Sequence, residues 1–298
     1  MKAEVASGRE RDRELSFASI DDEEIRLKKR NAIYFQISGA GHEGIQVAVA
    51  YHLKSGYDWF FPYYRDRAFC LQLGQTPLEM FLAAVGAEGE PNSAARQMPS
   101  HWSDTKLHLV SGSSPTGTRY NQAVGCAHAG RYIYDRGIAL EAESDEISVV
   151  CSGEGATSEG EFWEALNTAA NGKFPVLFFI QDNEYAISVP AEVQTSGGDI
   201  GKAFSALPGL TVMHCDGTDL IESLRTAEAA VAHLRAGRGP VLLHAKVTRP
   251  YSHSLSDDQI YYRTAAEIEA EKLRDPITRA EQLLLKIGAV SPAELDEI

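Results

Sequence analysis

The alternation of buried-strand and helix patterns constrains this fold more than any other feature of the sequence. EISVVCSGEG (146–155) is a β-branched apolar run that ends in glycines, and KFPVLFFIQDN (173–183) is a second apolar run that ends in polar residues. The stretch between them, SEGEFWEALNTAANG, has the pattern of a helix. A helix that joins two fully apolar strands forms a βαβ unit, which requires a parallel sheet covered by helices on both faces.

The same order of elements recurs further along the chain. Residues 210–217 and 239–249 have strand patterns, and residues 219–237 between them have the pattern of an amphipathic helix. We therefore predict one doubly wound α/β domain, with helices on both faces of a parallel sheet, over residues 21–298. Residues 1–20 are polar and aperiodic, which predicts a mobile N-terminal arm. Residues 19–36 place acids before bases, which predicts a helix, and residues 44–53 favour a buried helix.

Composition excludes several classes of partner. The sequence has 28 lysines and arginines against 42 aspartates and glutamates, a formal net charge of −14. A surface this acidic is repelled by nucleic acids and by anionic membranes, and no apolar run approaches the roughly 20 residues of a membrane helix. The four dispersed cysteines and the mixed-charge amino terminus favour a reduced, cytoplasmic protein, unless a leader has been removed.

Polar side chains follow two of the predicted strands. Gly153, Glu154, Gly155 and Ala156 follow the first strand, and the segment Gln181–Ser188 follows the second. Ligands of open parallel sheets bind beyond the carboxyl ends of the strands, so these segments should meet there. Oxygens of Glu154, of Asn183 and of a main-chain carbonyl near Tyr185 suit a magnesium ion.

The following helix strengthens this interpretation, and a simpler one remains open. Ser158 and Glu161 have the spacing of a capping box, and the N-terminus of that helix would face the same crevice and suit a phosphate. In the alternative interpretation the glycines only make a tight turn, and Asn183 only caps one.

Together the two segments resemble a known cofactor signature. Gly153-Glu154-Gly155 and the later Asn183-containing turn are similar to the thiamine-diphosphate motif. The resemblance extends over residues 30–285 to the alpha subunit of the thiamine-diphosphate-dependent 2-oxo acid dehydrogenase (decarboxylating) component, branched-chain type. Other blocks agree with it in order: Gly44 with Tyr64 and Arg65, residues 96–101, residues 113–115 with 122–125, and residues 253–258.

The resemblance implies a role for each matching residue. Glu154, Asn183 and the Tyr185 carbonyl would bind Mg²⁺, and the backbone around Ser114 and Thr116 would contact the aminopyrimidine. The implied cofactor-binding residues are Tyr64, Arg65, Ser114, Thr116, Gly153, Glu154, Gly155, Ala156, Asn183, Tyr185 and His253. Of these His253 would be catalytic, on a flexible loop over residues 249–263 that we expect to order when cofactor and partner bind. The simpler alternatives are a solvated Arg65, a structural His101 and an ordinary loop position for His253.

The resemblance also implies an assembly. A beta subunit would supply the glutamate that activates the cofactor, in an α₂β₂ enzyme that passes its acyl group to lipoyl-lysine of a dihydrolipoyl acyltransferase. Glu154 and residues 253–258 favour a branched-chain 2-oxo acid as the substrate, and pyruvate or acetoin remain alternatives. Ser254 occupies a position that is phosphorylated in some relatives. The end at residues 291–298 suggests a truncated chain or half of a fused alpha-beta polypeptide.

Two positions depart from the family pattern. Gln181 stands where branched-chain relatives often have arginine, and Thr116 replaces a residue that is usually apolar. Arg67 or another base is the expected compensation for the charge that Gln181 lacks. The same departure is the main support for a rival interpretation, in which the chain is a catalytically decayed assembly subunit.

A second rival is a nicotinamide-dependent oxidoreductase. Residues Gly39–Gly44 match G-x-G-x-x-G, and Asp58 follows at the distance of a ribose-binding acid. However, the residues before these glycines make a poor buried strand, and Asp58 does not end an apolar strand. We therefore prefer the thiamine-diphosphate interpretation.

Overall fold

A five-stranded parallel sheet lies at the centre of the protein in the computed structural model, which describes residues 17–138 and 145–296. Its strands, in spatial order, are β1 (Trp59–Phe61), β2 (Ser148–Gly153), β3 (Val176–Asp182), β7 (Val241–Lys246) and β6 (Thr211–Asp216). All four neighbouring pairs are parallel. Two short strands, β4 (Tyr185–Ala186) and β5 (Val189–Pro190), form a separate antiparallel pair directly after β3.

The helices of the described chain lie before, between and after these strands. They are α1 (Phe17–Lys29), α2 (Glu43–Tyr51), α3 (Arg67–Leu73), α4 (Pro77–Ala84), α5 (Thr118–Arg136), α6 (Gly160–Gly172), α7 (Ala191–Gln194), α8 (Ile200–Phe204), α9 (Leu220–Arg235), α10 (Ala265–Lys272), α11 (Pro276–Lys286) and α12 (Pro292–Asp296). Short 3₁₀ helices span Glu154–Ser158, Ser196–Gly198 and Gln259–Tyr261.

Side chains from both faces of the sheet are buried, as the apolar strand patterns predict. Phe178 of β3 packs with α5, α6 and α8 in one hydrophobic cluster, whereas its neighbour Phe179 packs with α2, α3 and α9 in another. Successive strand residues point to opposite faces, so a strand buried on both sides needs no polar alternation. The predicted doubly wound α/β fold is confirmed.

The register of the sheet brings the polar strand ends together. Gly153 pairs with Gln181 across β2 and β3, and Asp182 pairs with Lys246 across β3 and β7. The residues that follow, Glu154 and Asn183, therefore leave the same edge of the sheet on adjacent strands. This is the edge at which ligands bind in open parallel sheets.

Three local predictions need correction. Helix α1 begins at Phe17 and Ile20 is fully buried, so residues 17–20 are helical and not part of an arm; residues 1–16 lie outside the described residues. The same helix ends at Lys29, because Asn31 adopts a left-handed backbone conformation, so it does not extend to residue 36. Helix α6 begins at Gly160 with Glu159 at its N-cap, so the capping box predicted at Ser158 is absent.

The glycines of the G-x-G-x-x-G match serve packing. A Cβ atom on Gly41 would lie 2.3 Å from the Thr248 carbonyl oxygen, and a Cβ on Gly39 would lie 2.8 Å from the Arg65 carbonyl oxygen. Gly41 also has a φ of +87°, which L-residues rarely adopt. These positions need glycine because two loops approach them closely, so the match does not indicate a dinucleotide.

Asp58, the acid of that match, is also accounted for by structure. Its carboxylate is fully buried and forms two hydrogen bonds with the Arg235 guanidinium, at 3.0 and 2.6 Å. It also accepts hydrogen bonds from the backbone N–H groups of Lys54 and Ile147. A carboxylate enclosed in this way ties α9 to the start of β1 and is not available to a ribose.

The structure shows the state of the cysteines and the character of the helices. Cys70, Cys126, Cys151 and Cys215 are all free thiols. Within the described residues, no helix combines the length and the apolar character needed to cross a membrane.

Candidate active site

A cavity of about 320 Å³ opens where β2 and β3 end, within the range typical of small-molecule sites. Its lining contains every predicted cofactor-binding residue except Ser114. The lining residues are Tyr63, Tyr64, Arg65, Thr116, Ser152, Gly153, Glu154, Gly155, Ala156, Glu159, Asn183, Tyr185, Ala186, Ile187 and His253. Residues from five separate parts of the sequence therefore meet around one space.

Ser114 and His101 lie together, apart from this lining. The Ser114 hydroxyl forms a 2.8 Å hydrogen bond with His101 Nε2, and His101 Nδ1 lies 3.1 Å from the Pro99 carbonyl oxygen. Thr116, by contrast, lines the cavity and donates a hydrogen bond to Glu159. Of the two positions predicted to contact the aminopyrimidine, the structure thus places Thr116 at the cavity.

Glu154 has the surroundings of a cation ligand. It is almost fully buried; its Oε2 accepts a 3.3 Å hydrogen bond from the Asn183 backbone N–H, and its Oε1 has no hydrogen-bond partner. Burial, together with the negative charge of Asp182, raises the pKa of Glu154 to about 8. A buried carboxylate oxygen without a partner is costly, and a divalent cation would satisfy it.

The turn that carries Asn183 is held by Asp182, which the sequence analysis did not single out. Asp182 Oδ1 accepts a 2.8 Å hydrogen bond from the Glu184 N–H, and its Oδ2 lies 2.7 Å from both Lys246 Nζ and His244 Nε2. Asn183 Oδ1 in turn accepts from the Tyr185 N–H at 3.3 Å. The consecutive polar residues 181–183 at a strand end were the available signal for Asp182.

Arg65 offers a positive charge to the cavity. Its guanidinium is buried, and it donates to the carbonyl oxygens of Ser38 at 2.7 Å and His253 at 2.9 Å, both neutral acceptors. The guanidinium also lies 5.3 Å from the centre of the Tyr64 ring. These contacts fix the cation in place without a carboxylate taking up its charge, which suits an anionic ligand.

His253 is oriented by the same arginine. Its Nδ1 lies 3.0 Å from Arg65 Nη2, and because arginine only donates, Nδ1 acts as the acceptor and the proton is assigned to Nε2. Burial and the charges of Arg65 and Arg249 lower the pKa of His253 to about 3. At neutral pH the imidazole is therefore uncharged, with one N–H left to donate.

Gln181 lies behind the cavity, in a buried polar network. Its Oε1 accepts from Gln46 Nε2 at 2.8 Å and lies 2.9 Å from His42 Nδ1, while its Nε2 donates to Asp66 Oδ1 at 2.7 Å. Mainly because it is buried, Asp66 has a pKa raised to about 7. As a neutral amide, Gln181 both donates and accepts in this network, and it adds no charge to the cavity.

The compensation expected from Arg67 is wrong. Arg67 is buried in ion pairs with Asp21 at 3.3 Å and Glu24 at 2.6 Å. These ion pairs anchor α1 to the body of the domain, so Arg67 does not contribute its charge to the cavity. Arg249, the final residue of the last strand pattern, is the other base that was expected, since its charge acts on both Glu154 and His253. Its Nε and Nη1 atoms are buried without hydrogen-bond partners.

The loop over residues 249–263 is held by internal hydrogen bonds. Asp257 Oδ2 accepts from the His253 N–H at 2.9 Å and from the Tyr262 hydroxyl at 2.5 Å. Arg263 donates to the Arg249 carbonyl oxygen at 2.8 Å. These contacts set the position of His253 beside Arg65, while the expected ordering of the loop on binding stays a prediction.

Comparisons with known proteins find a matching family and several relatives. The family described as "Dehydrogenase E1 component" matches residues 11–298. The 2-oxoisovalerate dehydrogenase subunit alpha of Bacillus subtilis (strain 168) is 35% identical over 285 residues, covering 94% of this chain and 83% of the relative. The mitochondrial 2-oxoisovalerate dehydrogenase subunit alpha of Mus musculus is 33% identical, covering 88% of this chain and 57% of the relative.

A mycobacterial relative and a solved structure extend the comparison. The 3-methyl-2-oxobutanoate dehydrogenase subunit alpha of Mycobacterium tuberculosis (strain ATCC 25618 / H37Rv) is 32% identical, covering 87% of this chain and 65% of the relative. The chain thus spans about three fifths of the mouse and mycobacterial proteins. The crystal structure of transketolase from Campylobacter jejuni has a similar fold, with a TM-score of 0.51 and 19% identity over 70% of this chain and 33% of that one.

Proposed function

Because the chain belongs to the dehydrogenase E1 component family, we propose that it is the alpha subunit of an enzyme that oxidatively decarboxylates a branched-chain 2-oxo acid. The acyl group would pass to lipoyl-lysine of a dihydrolipoyl acyltransferase. The cofactor is thiamine diphosphate held through Mg²⁺. Residues 17–298 would form one cofactor-binding domain, starting at α1.

One observation carries this proposal: the unpartnered Glu154 carboxylate and the buried Arg65 cation line the same cavity. A metal-bound diphosphate needs an anionic oxygen for the metal and fixed cations for the phosphate oxygens, and this cavity offers both. Gly155 adds a close approach, because a Cβ there would lie 2.9 Å from that of Ala186. The residues present therefore fit the group.

We assign each residue its task. Glu154, the Asn183 side-chain oxygen and the Tyr185 carbonyl would hold Mg²⁺, and Asp182 positions their turn. Arg65 and Tyr64 would hold the diphosphate, with Gly153, Gly155, Ala156 and Thr116 forming the walls. When bound, thiamine diphosphate supplies the carbanion and electron-sink chemistry of decarboxylation.

His253 would act as a hydrogen-bond donor beside the reacting centre. Its Nδ1 is occupied by Arg65, so the Nε2–H is free to donate to a phosphate or substrate oxygen. An arriving anion would offset the positive charges that hold the imidazole neutral. His253 is therefore placed to hold or move a proton during acyl transfer.

The chain needs a partner to complete the site. Two carboxylates line the cavity within the described residues: Glu154 is assigned to the metal, and Glu159 accepts from Thr116 and from the Gly117 N–H at 2.9 Å. Neither is free to activate the aminopyrimidine. We therefore propose that a beta subunit supplies that glutamate, in an α₂β₂ assembly.

A substrate panel tests the proposed reaction. The chain is reconstituted with its beta subunit, and kcat/KM is compared for branched-chain 2-oxo acids, pyruvate and acetoin. We expect a preference for the branched-chain acids. A preference for pyruvate or acetoin would overturn the substrate, and failure to turn over any of them with cofactor bound would support the decayed subunit instead.

A further inference from the structure

A second cluster of metal-ligating side chains lies on the sheet outside the cofactor cavity. Asp199, His214 and His244 each present one ligand atom, and all three atoms lie within 4.8 Å of one another. None of the three lines the cofactor cavity. A ligand held by these three side chains would therefore lie outside that cavity.

The fold brings the two histidines together on one face of the sheet. His214 of β6 and His244 of β7 are direct partners in the parallel ladder, and their rings lie 5.3 Å apart between centroids. Asp199 enters from the loop before α8, where its Oδ1 lies 3.4 Å from His244 Nδ1. The three ligands thus come from two adjacent strands and one loop that covers them.

His244 is prepared for a metal on both sides of its ring. Its Nε2 is hydrogen-bonded to Asp182 Oδ2 at 2.7 Å, whereas its Nδ1 is buried and has no hydrogen-bond partner. The side chain is 1% exposed, so water does not satisfy that nitrogen. A carboxylate on one nitrogen and an open lone pair on the other is the arrangement of metal-ligating histidines, because the carboxylate fixes the tautomer.

The surroundings leave room for His214 and access for an ion. A Cβ atom on Gly201 would lie 2.2 Å from His214 Cε1, so glycine is needed for the imidazole to take its place. His214 itself is exposed, which opens the cluster to solvent on one side. Lys202 is the existing partner of Asp199: its backbone N–H donates to Oδ1 at 2.9 Å and so caps α8, and its Nζ, on an 81% exposed side chain, contacts Oδ2 at 3.3 Å. A carboxylate oxygen has two lone pairs, so Oδ1 keeps one for a metal.

We propose that Asp199, His214 and His244 bind one Zn²⁺ ion. Two imidazole nitrogens and one carboxylate oxygen are a set that zinc takes readily, and the fourth tetrahedral position would hold water. Magnesium prefers oxygen ligands only, so this site and the cofactor cavity would take different metals. By fixing His244, the ion would also hold Asp182 and the turn that carries Asn183.

Zinc titration of the chain tests this assignment. The chain is stripped with a chelator, and Zn²⁺ binding is measured by calorimetry, with Co²⁺ as a spectroscopic probe of tetrahedral geometry. We expect one Zn²⁺ per chain, an intense visible Co²⁺ spectrum, and a higher Tm in the presence of Zn²⁺. In His214→Gln the affinity should fall at least tenfold and the Tm increase should disappear.

Three further variants separate the possible outcomes. Gly201→Ala should weaken zinc binding because it displaces His214, although no ligand is changed. His128→Gln removes an exposed histidine elsewhere, and Glu154→Gln removes the candidate metal ligand of the cavity; both should bind Zn²⁺ like the wild type. The Tm without metal checks that each variant is folded.

Two results would overturn the proposal. If Glu154→Gln abolishes zinc binding while His214→Gln does not, the zinc sits in the cofactor cavity. If every variant binds weakly and alike, the ion is adventitious only. Both results leave the proposed function of the cavity untouched, because neither measures turnover or cofactor binding.

Discussion

Glu154→Gln should move binding and stability in opposite directions. The substitution keeps the shape of the side chain and removes its charge. Glu154 is the one carboxylate among the proposed Mg²⁺ ligands, so its loss should weaken metal-dependent thiamine diphosphate binding at least about 100-fold, or about 2.7 kcal/mol. A residue with only a structural role would not produce this separation.

The free chain should become more stable. In the wild type, burial of a carboxylate with an unpartnered Oε1 is unfavourable, and an amide in its place still lacks one partner. Above pH 8, where Glu154 is ionised in the free chain, the net gain should therefore be about 1 kcal/mol, the lower end of the cost of an unsatisfied buried group, which corresponds to a Tm increase of about 2–4 °C.

The stability of the free chain should depend on pH in a defined direction. The pKa of Glu154 is raised from 4.5 to about 8 in the folded chain, so the folded state holds a proton that the unfolded state has already lost in this window. Wild-type stability therefore falls as the pH rises from 4.5 to about 8, and Glu154→Gln escapes this loss. The Tm difference should be largest above pH 8.

The assays are calorimetric. Cofactor affinity is measured on the reconstituted assembly with Mg²⁺, and Tm is measured on the free chain with chelator. Glu184→Gln is the matched control, because Glu184 is an exposed acid on the same turn whose Lys246 partner lies at 3.4 Å, and both readouts should stay at wild-type values. Unchanged binding in Glu154→Gln would refute the metal assignment, and a Tm several degrees lower would make Glu154 structural.

Three further predictions address the partner, the loop and the buried ion pair. The purified chain alone should show no turnover with cofactor and substrate, whereas addition of the beta subunit should restore it; robust activity of the chain alone would contradict the shared site. His253→Ala should lower turnover or cofactor retention with little change in Tm, and a large Tm loss would count against this role. Limited proteolysis should cut residues 249–263 in the free chain but not in the cofactor-bound assembly, and equal protection in both would count against ordering of the loop. Asp58→Asn should destabilise the chain by about 3–5 kcal/mol in thermal unfolding, because it leaves the Arg235 charge without its buried partner, and an unchanged Tm would count against that role.

The fold could be predicted from the sequence because its strands are continuous apolar runs with helices between them. Phe178 and Phe179 face opposite clusters, and only a parallel sheet covered on both sides permits this pattern. Most of the cavity could be predicted for the same reason, since residues that follow parallel strands leave the same edge.

Long-range pairing could not be predicted in the same way. From the sequence, Arg67 is a candidate base to compensate for Gln181, but in the structure it pairs with Asp21 and Glu24 of α1, more than 40 residues away along the chain. Asp182 forms a hydrogen bond with His244, and Arg249 donates one to the Ile187 carbonyl oxygen. In both pairs the two residues are 62 positions apart along the chain. Such contacts depend on the final arrangement of loops and not on local sequence.

Titration with thiamine diphosphate tests the central claim most directly. The assembly is titrated calorimetrically with thiamine diphosphate in the presence of Mg²⁺ and then of chelator, and with NAD⁺ and NADH in parallel. The cavity formed by Glu154, Asn183, Arg65 and His253 predicts one thiamine diphosphate per chain, bound only with the metal, and no binding of either nicotinamide. Binding of a nicotinamide cofactor without binding of thiamine diphosphate would contradict it.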